Sequence, residues 1–277
     1  MSDPFHSPET PIAAPAGSID IGEALLTGLY GLGRNAIAWV ATMVALFIAY
    51  IVSICTCIGW VFMLPPMMWA FYKMVLETVR GDTELGSLTS GFENFPIVLG
   101  RIWGWMIINL ILVLPFGVVL SAGLFAWYGL EGLLVATQDP AFALMTTPFS
   151  MLFSLFAIAI FARIQMVPFL LVDRDLGVIE AYAESWRMTE GNWLRLIAIM
   201  YFVTLWTLPA TTIQMGMQYY VMGLSPAEQL GMVLPQMGVS IVTSTWSVTL
   251  GLLNMCAVAA AYDQLSGRAD DPSDDES

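Results

Sequence analysis

Apolar positions along this chain fall into long unbroken runs and do not alternate with polar ones. Six runs reach roughly 20 residues, the length a helix needs to cross the hydrocarbon core of a bilayer. They are Ala36–Thr56, Trp60–Val79, Ile102–Ala126, Pro148–Val172, Trp193–Val221 and Gln236–Ala261. Between the first two, Cys57-Ile58-Gly59 is the only available turn. One continuous helix of about 40 residues would run roughly 60 Å, twice the hydrocarbon thickness, so the pattern predicts a tight helical hairpin. Prolines 65, 66, 115, 168 and 209 fall inside these runs. Membrane helices accept such kinks when neighbouring groups re-satisfy the freed carbonyls.

The segments between hairpins carry a shorter, helical period. Three of them open alike, with Asp20-Ile21-Gly22, Glu84-Leu85-Gly86 and Asp175-Leu176-Gly177. Leu85, Leu88, Phe92 and Phe95 repeat the spacing of Leu176, Ile179, Ala183 and Trp186, with offsets of 3, 7 and 10 that keep one helix face apolar. The first copy has Ile21 and Ala24 at those offsets and then Gly28 and Gly31, while its apolar face runs through Ile21, Leu25, Leu29 and Leu32. The leading acid suits a helix N-terminus, where free amides and the dipole favour negative charge. The expected fold is all-α: a polytopic bundle of six transmembrane helices in three hairpins, each preceded by a short amphipathic helix in the plane of the interface, at 20–33, 84–95 and 176–189. The membrane domain is expected over 18–263, in repeat units 18–81, 82–173 and 174–263 of one shared orientation.

Composition narrows the setting. Of 277 residues 58% are hydrophobic and 11% charged, and mean hydropathy is +0.75. That is more apolar surface than one globular core hides, which excludes a soluble enzyme, a nucleic-acid binder and a disulfide-stapled domain. Charge fixes an orientation. Arg34, Lys73, Arg80, Arg101, Arg174, Arg187, Arg195 and Arg268 flank the connections on one side, whereas Cys57–Gly59, Trp127–Thr147 and Met222–Pro235 contain no Lys or Arg. This asymmetry puts both termini in the cytoplasm. Residues 1–17, rich in proline, and 264–277, which hold five acids in the last eight positions, are expected to be disordered tails.

Reactive chemistry is sparse. His6 is the one histidine, and Cys55, Cys57 and Cys256 sit in apolar runs as small buried side chains. The pattern offers no catalytic, metal or cofactor site, so no enzyme and no cofactor are expected. Lys73 and Glu77 have the spacing of an i,i+4 pair; Glu180 and Glu184 share a helix face toward solvent; Ser185 lacks a neighbouring base. Arg163 lies ten residues before Asp173, roughly 15 Å into a span by helix rise. It either snorkels to the interface or faces the bundle interior with Gln165, Asn109 and Asn254, where it would attract an anionic group such as a lipid phosphate. Spans five and six are rich in Ser, Thr, Asn and Gln, the composition of a polar cavity or of helices whose hydroxyls bond their own backbone.

The stretch Arg163-Ile-Gln-Met-Val-Pro168 through Asp173-Arg174-Asp-Leu-Gly177, followed by Glu180-Ala181-Tyr182-Ala183-Glu184-Ser185-Trp186 and Gly191-Asn192-Trp193, resembles the signature region of six-span bacterial membrane proteins. These are similar to the membrane domain attached to some glycerophosphoryl diester phosphodiesterases. The Gly81-Asp82 turn with Phe92 and Phe95 matches a second feature. The resemblance covers about 40 residues, 160–200, and implies the six-span fold and the bacterial cytoplasmic membrane. It transfers no catalytic residue, because that chemistry belongs to a separate soluble domain. The expected function is a non-enzymatic scaffold or accessory protein whose partners are the lipid bilayer and other membrane proteins, not nucleic acid. The alternative is a small transporter or channel with a polar cavity between spans five and six.

Overall fold

The computed structural model describes residues 18–55, 59–81, 83, 85–136, 158 and 160–267. Among them every regular element is helical. In chain order these are α1 (Ile21–Arg34), α2 (Ala36–Cys55), α3 (Gly59–Arg80), a 3-10 turn at Leu85–Thr89, α4 (Ser90–Glu93), α5 (Phe95–Ala136), α6 (Val167–Asp173), α7 (Val178–Met188), α8 (Trp193–Met222), α9 (Pro226–Gly231) and α10 (Val233–Ser266). Among the described residues three segments are long and apolar enough to cross a membrane: Phe95–Val119, Trp193–Val221 and Val233–Ser266. A fourth follows if α1 and the first part of α2, bent by 78°, count as one broken span. Residues 148–157 and 159 of the expected span Pro148–Val172 lie outside the described residues, as do the turn at 56–58, the connection 137–147 and the two expected tails up to residue 17 and from 268.

Burial is concentrated at one end of the long helices. The core joins Tyr72, Met74 and Val75 of α3, Phe169, Leu170 and Leu171 of α6, Leu196 and Ile199 of α8, and Cys256 to Tyr262 of α10. Edge-to-face rings link Trp39, Phe71, Tyr72 and Trp105, and Phe169 stacks on Tyr262. Away from that end the helices turn large apolar side chains outward, among them Ile111, Val119, Leu205 and Val242. Water gives no reason for such a surface, whereas a lipid environment accepts it.

One proline gap is closed by a tryptophan. Pro65 has no amide to donate to the carbonyl of Val61, four residues back in α3. The indole of Trp103, on α5, donates to that same carbonyl at 3.0 Å. The indole of Trp246, on α10, donates to the carbonyl of Trp206 on α8 at 2.9 Å. Each bond also ties two long helices together.

The three connecting segments differ in form. In α1, Asp20 accepts from the Glu23 amide at 3.0 Å, the cap its position predicts. The second segment is the 3-10 turn and the four-residue α4, where a single helix over 84–95 is expected from the spacing. The third is α7, opened by Gly177, whose amide donates to Glu180. The buried faces differ from the periodicity too. In α1 they are Ala24, Gly28 and Gly31, whereas Leu29 is 56% exposed. In α7 they are Ala181, Glu184, Ser185 and Met188, whereas Ile179 and Trp186 are exposed. Small and hydrogen-bonding residues take the tight contacts, and the bulky apolar ones face out, the arrangement expected where the surroundings are themselves apolar.

Gly28 and Gly31 let α1 lie directly on the backbones of α10 and α3. A Cβ at Gly28 would stand 2.9 Å from the Ala257 amide nitrogen, and one at Gly31 would stand 2.7 Å from the Thr78 carbonyl oxygen. Gly28→Leu is therefore expected to undock α1 and lower stability by about 2–3 kcal/mol. Gly33→Ala, at a position with nothing within 4 Å, should be neutral or stabilising by a few tenths. Thermal unfolding of the two variants in one detergent checks this; equal midpoints would show that α1 does not rest on its glycines.

Candidate functional site

The packed end of the bundle is held by a charged centre. Arg80, the last residue of α3, donates from Nη1 to Asp173 at 2.8 Å and from Nη2 to Asp263 at 2.7 Å. Its Nε completes a fork on the Asp263 carboxylate. Asp173 ends α6, and Asp263 stands in the last turn of α10. Side-chain exposure is 30% for Arg80, 8% for Asp173 and 12% for Asp263. The Tyr262 hydroxyl donates to the second oxygen of Asp173 at 2.8 Å. Burial disfavours the Arg80 charge, but hydrogen bonds and Coulomb attraction from Asp263 and Asp173 outweigh it and raise its pKa. One guanidinium thus joins three segments far apart in sequence.

Around this centre other polar groups secure the adjoining elements. Gln264 accepts from the Asp20 amide at 3.0 Å, and Arg195 donates to the Ile19 carbonyl at 2.9 Å. The Asn192 side chain accepts from the Ile19 amide at 3.3 Å. The start of α1 is thereby fixed to α8 and α10. Arg101 pairs with Asp175 and also donates to its carbonyl at 2.8 Å. Asp175 has φ of 55°, the left-handed region that Asp tolerates better than most residues.

α7 folds back along the segment that leads into α6. Ser185 donates to the Arg163 carbonyl at 2.6 Å, and Tyr182 to the Trp105 carbonyl at 3.3 Å. Burial pushes the Tyr182 phenol up to about 12, so it stays a neutral donor. Glu184 is 7% exposed and pairs with Arg174 at 3.4 Å and Arg187 at 3.0 Å. The expectation that Glu184 faces solvent is thus corrected: the face it shares with Ser185 packs inward. Glu77 likewise pairs otherwise than expected. Among the described residues it makes no ion pair with Lys73 and accepts the Ser87 hydroxyl at 2.6 Å.

The fold-back also decides the surroundings of Arg163. Its guanidinium carbon lies 4.4 Å from the centroid of Trp186 and 5.6 Å from that of Trp193, the first residue of α8. The expected companions do not converge on it. Asn109 donates to the Trp105 carbonyl of its own helix, Gln165 is half-buried, and Asn254 keeps a buried carbonyl oxygen without a partner among the described residues. Counting residues along one chain segment assigns depth but misses a second helix returning beside it.

Between α8 and α10 runs a groove of about 530 Å³, walled by Pro209, Ile213, Ile241, Val242, Trp246 and Thr249 among others. Its hydroxyls are spent locally. Thr243 donates to Val239 at 2.9 Å, Thr245 to Ile241 at 2.8 Å and Thr249 to Thr245 at 2.9 Å, each within its own helix. What remains toward the groove is largely apolar. Among the described residues no cluster of three or more His, Cys, Asp or Glu is arranged to hold a metal ion.

A family model described as a domain of unknown function, DUF7847, matches residues 19–265. No curated protein and no solved structure matches the chain.

Proposed function

The chain belongs to the DUF7847 family, and we propose that it is a non-enzymatic scaffold of the bacterial cytoplasmic membrane that organises lipids or partner membrane proteins. In this reading six spans form three hairpins, both termini are cytoplasmic, and the charged centre lies at the cytoplasmic end. The basic residues Arg80, Arg101, Arg174, Arg187 and Arg195 all belong to that packed end, in keeping with the positive-inside rule. The 78° bend between α1 and α2 suits an interfacial helix leading into a span. The three units 18–81, 82–173 and 174–263 are supported by the charged centre, since Arg80, Asp173 and Asp263 stand at or next to the last position of each.

One observation carries the scaffold reading: the hydroxyls of α8 and α10 that would line a polar path donate to carbonyls of their own helices. A transporter needs such groups facing its solute. The alternative, a small transporter or channel, draws on the groove between α8 and α10. With apolar walls, that groove suits an acyl chain better than an ion or a polar metabolite.

Topology and flux test the two parts separately. A reporter fused after Ser277 should read cytoplasmic and one inserted at Asp139 exterior; a cytoplasmic signal from Asp139 contradicts the six-span arrangement. In proteoliposomes the protein should leave the membrane tight to protons, potassium and small anions. Thr245→Val and Thr249→Val should each change stability by less than about 1 kcal/mol. A solute flux abolished by those two substitutions would establish the transporter in place of the scaffold.

A further inference from the structure

Resting on the membrane placement proposed above, we infer that Arg163, Trp186 and Trp193 form a seat for the phosphate of an anionic phospholipid. The guanidinium carbon lies over the two indole rings, 4.4 and 5.6 Å from their centroids. Cation–π contact leaves a guanidinium its N–H donors, whose fork matches the oxygens of a phosphate. The site is built, because the Ser185 hydroxyl on the Arg163 carbonyl at 2.6 Å fixes the backbone beneath it.

Charge distribution supports the assignment. Arg80, Arg101, Arg174 and Arg187 each pair with a carboxylate, while among the described residues no carboxylate stands within 4.0 Å of Arg163. Glu184, on the same helix as Trp186, is already engaged by Arg174 and Arg187. The positive end of α8, a helix of 30 residues, begins at Trp193 and favours an anion at the same place.

The source of the phosphate follows from what surrounds the seat. Trp186 is 52% exposed and Ile179, on the same outward face of α7, is 78% exposed. Tryptophan concentrates at the level of the headgroups, and an outward apolar helix face lies at the headgroup–acyl boundary. A lipid can place its phosphate on Arg163 and its glycerol and upper chains along Ile179 and Trp186. A free phosphate ion gains only the first of these contacts.

The test uses the full chain in nanodiscs of phosphatidylcholine mixed with phosphatidylglycerol, with retained lipid counted by native mass spectrometry and stability followed by thermal unfolding. The wild type should retain phosphatidylglycerol preferentially, and Arg163→Leu should cut that retention at least about tenfold, the loss of one charged hydrogen-bonded contact. Arg163→Lys should retain an intermediate amount, because it keeps the charge and loses the fork, and Trp186→Leu should also weaken retention. Inorganic phosphate alone should not displace the lipid. Unchanged retention in Arg163→Leu at wild-type stability overturns the seat, and displacement by inorganic phosphate overturns the lipid as its ligand. Should Arg163→Leu fail to fold, Arg163→Lys decides in the same way, with wild-type retention counting against the seat. None of these results alters the topology and flux measurements, so loss of the lipid seat is distinguishable from loss of the scaffold reading.

Discussion

The architecture depends on one guanidinium. Arg80 ends α3, and its two partners are Asp173, which ends α6, and Asp263, in the last turn of α10. A buried charge is costly unless paired and hydrogen-bonded on all sides. Here the cost is offset by a fork on Asp263, a single contact on Asp173 and the Tyr262 hydroxyl on the remaining Asp173 oxygen. Such a centre adds modest net stability compared with an apolar isostere, but it demands that all three segments arrive together. The α1 cover depends on it in turn, because Gly28 and Gly31 need α10 and α3 side by side to rest on.

On α1 and α7, which pack beside that centre, the usual distribution of polarity is largely reversed. Ala24, Gly28, Gly31, Ala257, Ala259, Ala261 and Ser185 occupy the inner contacts, and Leu26, Tyr30, Ile179 and Trp186 face out. In water the opposite arrangement would win by the transfer of apolar area. Against lipid that term vanishes, so helices associate where their backbones approach closely and where side chains can complete hydrogen bonds. The Trp103 bond to the Val61 carbonyl has the same logic: a carbonyl freed by Pro65 finds no water in an apolar medium and must be met by the protein.

This reversal explains what could be read from the chain. Some long helices were legible, because hydrocarbon thickness imposes length: the run Trp193–Val221 lies in α8, Trp193–Met222, and Gln236–Ala261 lies in α10, Val233–Ser266, both long and apolar enough to cross a membrane. The N-terminal cap Asp20 was legible for a local reason, its amide partner lying three residues away. The buried face of α7 was not, since the spacing of Ile179, Ala183 and Trp186 identifies an apolar stripe without saying whether lipid or protein receives it. The charged centre was hidden by sequence distance, its partners lying 93 and 183 residues from Arg80. Arg163 was legible as a costly charge but not as a partner of two tryptophans, because only the return of α7 brings Trp186 to it.

The central claim is that the three positions form one interchangeable centre. Moving the charge tests it most directly: Arg80→Asp alone, then Arg80→Asp combined with Asp263→Arg, compared by thermal unfolding of the full chain in nanodiscs. The single change gathers three carboxylates and should cost at least about 3 kcal/mol. The combined change restores one arginine between two carboxylates at the same three positions and should recover more than half of that loss. A double variant no more stable than Arg80→Asp would show that the three positions do not form a common centre, and the account of how this bundle is held together would fail.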